Sequence, residues 1–154
     1  MKKLFLTLSL AIIFIGAASA QDYKTAIGIR GGYYNGITIK HFIGPKSALE
    51  GLVYTRWGGF ELTGLYELHK PALDIKRLQW YYGVGAHVGF FDGGKTGWGT
   101  GTYNVVGIDG ILGIQYSFKE IPFNLSLDWK PSFDFVGYNH FFYDGAALSL
   151  RYIF

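Results

Sequence analysis

Few residue groupings in this chain could do chemistry. Gly89-Phe90-Phe91-Asp92-Gly93-Gly94-Lys95-Thr96 fits the phosphate-loop pattern G-x-x-x-x-G-K-T. That pattern works when a strand precedes it and a helix follows, so that the helix N-terminal amides hold the phosphate. Here Gly97-Trp98-Gly99-Thr100-Gly101 follows, which is too glycine-rich to start a stable helix. The segment reads as an outer loop.

The four histidines are His41, His69, His87 and His140. No pair stands four apart on a helix, the spacing that would offer two imidazoles to one metal. His69 and His87 fall on predicted strands and read as hydrogen-bonded interior histidines. His140 and Asp144 share a loop, yet a hydrolase also needs a nucleophile beside an oriented base. Asn124-Leu125-Ser126 fits a glycosylation acceptor, but in a predicted strand with Asn124 inward. No catalytic, metal or cofactor-binding set is expected.

The charged residues make a more coherent set, because they recur on one side of alternating runs. Along 123–135, Phe123, Leu125, Leu127, Trp129, Phe133 and Phe135 share one face, and Asn124, Ser126, Asp128, Lys130, Ser132 and Asp134 share the other. Period two is the signature of a strand with unlike faces. Segments 60–69, 77–90, 106–118 and 147–154 repeat it, and weaker strands cover 26–33, 36–43 and 48–57. The expected fold is all-β, an eight-stranded antiparallel up-and-down transmembrane β-barrel.

The polar face then points inward. It carries Arg30, Lys40, Arg56, Arg77, Lys130 and Arg151 against Glu50, Glu61, Glu67, Asp109, Asp128 and Asp134. An eight-stranded barrel is just wide enough for side chains to fill. Charges withdrawn from water must pair. The balance predicts a cross-linked polar plug, with inward glycines making room for long side chains.

A water-soluble sandwich would also alternate. The runs of about 9 to 14 residues are longer than ordinary strands and suit a tilted bilayer crossing. Aromatics collect at both ends of the apolar faces: Tyr33, Trp57, Phe60, Phe90 and Phe135 at one, Trp80, Tyr116, Phe118, Phe123, Tyr152 and Phe154 at the other. Two such belts match two membrane interfaces. A lipocalin-like binder would need the reverse arrangement, an apolar cavity inside charged walls.

Residues 1–20 read as a cleaved signal peptide, with Lys2 and Lys3, a short apolar stretch, and Ala18-Ser19-Ala20. Residues 21–154 form the barrel domain. Removing Lys2 and Lys3 reduces 14 basic residues to 12 against 11 acidic ones, a net +1. A basic nucleic-acid surface is not indicated. The chain has no cysteine and so no disulfide framework. Turns at 44–47, 70–76 and 119–122 read as periplasmic, with longer outer loops at 92–104 and 137–144 and both termini in the periplasm.

With these features the mature chain resembles the OmpA/OmpX-like superfamily of eight-stranded outer-membrane barrels. The final Leu148-Ser149-Leu150-Arg151-Tyr152-Ile153-Phe154 resembles the C-terminal signal read by the outer-membrane barrel assembly machinery, through Leu150, Tyr152 and Phe154. The resemblance implies a monomer among outer-membrane lipids and lipopolysaccharide, without a cofactor. The superfamily holds structural proteins, adhesins, narrow pores and lipid A-modifying enzymes, so fold alone does not choose. The lipid A deacylase barrels carry a His-x-Ser-Asn element that His140-Phe141-Phe142-Tyr143 lacks. The expected role is a structural or surface-interaction barrel that is not an enzyme. A narrow pore for small or apolar solutes, or a lipid A-modifying enzyme, stands as the alternative.

Overall fold

In β-branched and aromatic runs with period two, neighbouring strands pair and pack on both faces. A computed structural model describes residues 24–56, 58–96, 99–137, 140–143 and 145–154. Residues 1–20, read above as a signal peptide, and Trp57, Trp98, Tyr138 and Asp144 lie outside the described residues. The elements are β1 (Thr25–Gly32), β2 (Asn35–Phe42), β3 (Ser47–Arg56), β4 (Gly59–Pro71), β5 (Leu78–Asp92), a single helical turn α1 (Gly93–Thr96), β6 (Thr102–Ser117), β7 (Phe123–Trp129), β8 (Ser132–Val136), β9 (His140–Phe142) and β10 (Ala146–Ile153).

All pairings are antiparallel, and β1 pairs with β10 to close the sheet. β7 and β8 both pair with β6 and together make one wall strand, interrupted at Lys130-Pro131. β9 pairs with β8, and β10 with β7, so they share the next position. The result is a closed eight-stranded antiparallel barrel.

The register fixes its girth. From Ile29, pairing runs through Ile37, Val53 and Leu62 to Val88 on β5. In the other direction it runs through Leu150, Leu125 and Tyr116 to Leu78 on the same strand, ten residues away. A stagger of that size tilts the strands by about 40° to the axis.

Three details depart from the sequence reading. β5 and β6 zip further than expected, to Asp92↔Thr102, so the 92–104 loop shrinks to 93–101. The 123–135 strand breaks at Pro131, which has no N–H to give the ladder. The backbone bonds are rerouted there: Gly110 N–H donates to the Pro131 carbonyl at 2.9 Å and Lys130 N–H to the Gly145 carbonyl at 3.0 Å. Within the expected 137–144 loop, His140–Phe142 form β9, which pairs back on β8.

Inward glycines serve two different ends. At Gly113 an added Cβ would lie 2.6 Å from the Tyr81 ring and from the Asp128 side chain, and at Gly107 it would lie 2.4 Å from the His87 ring and as close to the Phe133 carbonyl oxygen. These two do make room for large inward side chains. At Gly28 the obstacle is backbone: a Cβ would stand 1.9 Å from the Leu150 carbonyl oxygen across the closing seam. Outward Gly64 has nothing within 4 Å of the same position. Gly28→Ala should therefore cost about 1–3 kcal/mol through a forced backbone shift. Gly64→Ala should change stability by less than about 1 kcal/mol. Urea midpoints of the detergent-refolded variants read the difference.

Candidate functional site

Strand alternation sends every second side chain to the barrel axis, and the inward set is polar. Arg30, Lys40, Glu50, Glu61, Glu67, Asp109, Asp128, Lys130, Asp134 and Arg151 are all buried. The ten come from seven of the eight wall strands and meet in three linked groups.

The first group centres on Arg151 of β10. Its Nη2 donates to Glu50 of β3, its Nη1 to Ser126 Oγ at 2.7 Å and Asn124 Oδ1 at 3.3 Å on β7, and its Nε to Thr38 Oγ1 at 3.0 Å on β2. Thr38 in turn donates to Glu50 at 2.5 Å. Lys40 Nζ lies 2.8 Å from Glu67 and 3.4 Å from Glu50. His69 Nε2 lies 3.0 Å from Glu67, and its ring stacks on Tyr81 at 5.0 Å.

The second group is smaller. Arg30 grips Asp128 with both terminal nitrogens, the Nη1 bond being 2.6 Å, and Tyr81 OH donates to the same carboxylate at 2.8 Å. Fork-to-fork pairing of this kind is the strong form of the ion pair. Lys40 Nζ also sits 4.0 Å over the Tyr81 ring, which joins this group to the first.

The third group lies toward the β5–β6 hairpin. Lys130 Nζ is 2.5 Å from Asp109 and 3.8 Å from Glu61. His87 Nδ1 is 2.8 Å from Asp109, and its Nε2 is 2.8 Å from Asp134. A carboxylate only accepts. The ring therefore satisfies both neighbours as imidazolium, or one carboxyl carries the shared proton. Glu61, His87 and Asp109 bring ligand atoms within 4.8 Å of one another. The Lys130 ammonium already stands against Asp109, and a divalent ion would have to displace that cation.

The plug thus differs from the expected balance of six against six. Arg77 lies in the 72–77 turn at the barrel rim, half-buried, with Nη1 donating to the Phe118 carbonyl at 3.1 Å. It leaves the interior because the strand begins only at Leu78. The Arg56 side chain lies outside what is described. Among the described residues, four buried Lys and Arg face six carboxylates, and His87 stands between two of them.

Sequence reasoning put uncharged polar residues such as Asn124, Ser126 and Ser132 inside, as found, but did not foresee an apolar and aromatic cluster there. Tyr34, Leu52, Tyr54, Leu65, Tyr81 and Ile111 form a buried cluster among the charged groups. Parity would have placed Tyr81 and Ile111 inside, since each alternates with outward neighbours. Nothing in the spacing marks Tyr81 as a donor to Asp128. His69 and His87 do lie inside, each against its own carboxylates rather than against the other.

The remaining singled-out residues are dispersed. The Gly89–Thr96 motif spans the end of β5 and one helical turn, and Gly93 N–H donates to the Gly101 carbonyl at 2.6 Å instead of facing outward to a phosphate. His140 lies on β9 with its ring 4.7 Å from that of Phe142. Its supposed loop partner Asp144 lies outside the described residues. Asn124 points inward with Nδ2 donating to Ser117 Oγ at 3.0 Å. Leu150 and Phe154 face outward, and Phe154 and Thr25 exchange backbone bonds of 2.9 and 3.2 Å at the seam. A shallow groove of about 560 Å³ lies on the outer face, over Gly51 and Gly64 between Ile39, Leu49, Tyr66 and Val84.

No protein-family model, no curated protein and no solved structure matches the chain.

Breaking one partner of a buried pair leaves a lone charge, whereas replacing both with apolar groups removes the desolvation cost. Asp128→Leu alone should destabilise by about 3–5 kcal/mol. Arg30→Met with Asp128→Leu should recover most of that loss, leaving about 1 kcal/mol or so from the orphaned Tyr81 hydroxyl. A double-mutant cycle on urea midpoints checks both.

Proposed function

We propose that this chain is an outer-membrane β-barrel of the OmpA/OmpX-like kind, with a structural or surface-interaction role and no catalytic one. One observation carries the reading. Ile29 is 67% exposed and Val84 68% exposed, while Lys40 and Arg151 are 0% exposed. In water that partition is upside down: apolar surface stays wet while charges lose their hydration. In hydrocarbon it is the favourable arrangement. Closure adds support, because a sheet in lipid tolerates no unpaired edge. So do the stagger of ten and a tilt of about 40°, which suit small spanning barrels.

The filled axis speaks for a plug over a pore. Arg30, Tyr54, Tyr81 and Arg151 are buried across it and tied to several walls. The same filling disfavours a lipocalin-like binder, which needs a cavity. The charged groups are consumed in mutual pairs, which favours a structural use over catalysis. On this reading residues 1–20 direct export, Leu150, Tyr152 and Phe154 engage the assembly machinery, and lipids and lipopolysaccharide surround a monomer.

Reconstitution tests it. Outward Trp80 and Trp129 should be quenched by lipids brominated along the acyl chain, and the boiled and unboiled protein should migrate differently in detergent gels. A freely dissolved monomer whose tryptophans ignore those lipids would defeat the proposal. Planar bilayers should show no steady single-channel current, and lipid A from expressing cells should keep its acyl pattern. A stable conductance would favour the pore instead, and an altered acyl pattern the enzyme.

A further inference from the structure

The outer face is not equally tall all round. Outward apolar residues run from Leu78 to Phe90 on β5, where Asp92 ends them, and from Val106 along β6 to Phe118 one residue past its end, with Asn104 stopping them at the other end. Along β7 and β8 they run from Phe123 to Phe135. At about 3.3 Å per residue and a tilt of about 40°, each is about 30 Å along the axis.

The opposite wall is much shorter. On β2 the outward positions are Asn35, Ile37, Ile39 and His41. On β1 Ile27 and Ile29 follow Thr25, and on β3 Leu49, Gly51 and Val53 precede Thr55. Thr25 faces His41 across the ladder, with Thr25 Oγ1 2.8 Å from His41 Nδ1, and Asn35 faces Thr55. These two polar pairs cap the band from below and above. Asn35 to His41 covers about 15 Å along the axis by the same geometry. Tyr33 and Ile43 lie beyond the caps, in the turns. The ratio of about two between the walls does not depend on the tilt, which all strands share.

We propose that the barrel is a wedge that compresses the lipid beside β1–β3, the partner of this wall being shortened acyl chains. The proposal rests on the outer-membrane reading above. An apolar band of about 25 Å is usual for such barrels, so the β5–β8 side fits or exceeds it and the β1–β3 side falls short. Rigid tilting moves both ends of a cylinder together and cannot match walls of unequal height. The bilayer is the softer element, and a short hydrophobic stretch draws it thin. A second copy seated on this wall through its taller β5–β8 face would trap the Thr25–His41 and Asn35–Thr55 pairs against apolar side chains, so lipid is the better occupant.

The absence of native cysteine makes the test direct. His41→Cys and Thr55→Cys report the caps of the short wall, and Val84→Cys and Ile108→Cys report the middle of the tall one. Each carries one environment-sensitive fluorophore in phosphatidylcholine vesicles of 18-carbon chains, at one barrel per several thousand lipids. Nitroxides at the headgroup should quench the 41 and 55 labels at least two-fold more than nitroxides deep in the chain. The order should reverse for the 84 and 108 labels. The cap pattern should persist in 22-carbon lipids. Deep quenching of either cap label, or a cap pattern that vanishes on further dilution of the protein, would overturn the wedge. If the 84 and 108 labels also escape deep quenching, the membrane reading itself falls, a distinguishable result that takes the wedge with it.

Discussion

The guanidinium of Arg151 ties four walls of this barrel to one another. It sits on β10, and its bonds reach β2, β3 and β7. A side chain can reach three other walls only in a barrel this narrow. Narrowness follows from eight strands and a stagger of ten, and side chains fill an interior of that width. Every inward charge must then find an opposite charge or a hydroxyl across the lumen. The Arg30–Asp128 pair and the Lys130–Asp109 pair obey the same rule higher in the barrel.

Much of this was legible from period two alone. The approximate strand positions and the face most residues take follow from alternation, because a slip of one residue would exchange the faces everywhere, while the closed architecture was read from run length and the two aromatic belts. Ten of the twelve expected interior charges are buried as read. What alternation cannot give is who meets whom across the lumen, since that depends on register summed over several ladders. Nor does it show where a strand stops. Arg77 fits the pattern by parity yet lies one residue outside β5, where a left-handed backbone (φ 72°) turns the chain. Pro131 is a known ladder-breaker, but the rerouting through Gly110 and Gly145 needed the neighbouring walls in place.

The interior is not uniformly ionic. Tyr54 and Tyr81 stand among the ions as both filler and cation-facing rings, with Lys130 5.5 Å from the first and Lys40 4.0 Å from the second. Such rings supply bulk without adding charge and soften the desolvation of an ammonium. Among the described residues His87 stands between two carboxylates, those of Asp109 and Asp134, and Lys130 completes its surroundings. The outer face is informative in a different way: what it lacks on one side says as much as what it carries on the other.

The seam between β1 and β10 has a kinetic consequence. Ala26 pairs with Ile153, and Thr25 with Phe154, so residues almost a whole chain apart must meet before the ring exists. Hairpins such as β4–β5 can zip locally and early, but β1 has no second neighbour until the last strand has been made. Loop-closure entropy opposes that encounter, and contacts of such long sequence separation form slowly. Until then two sheet edges stay open to wrong partners. Anything that covered those two edges until the ring closed would spare the chain wrong pairings during that wait.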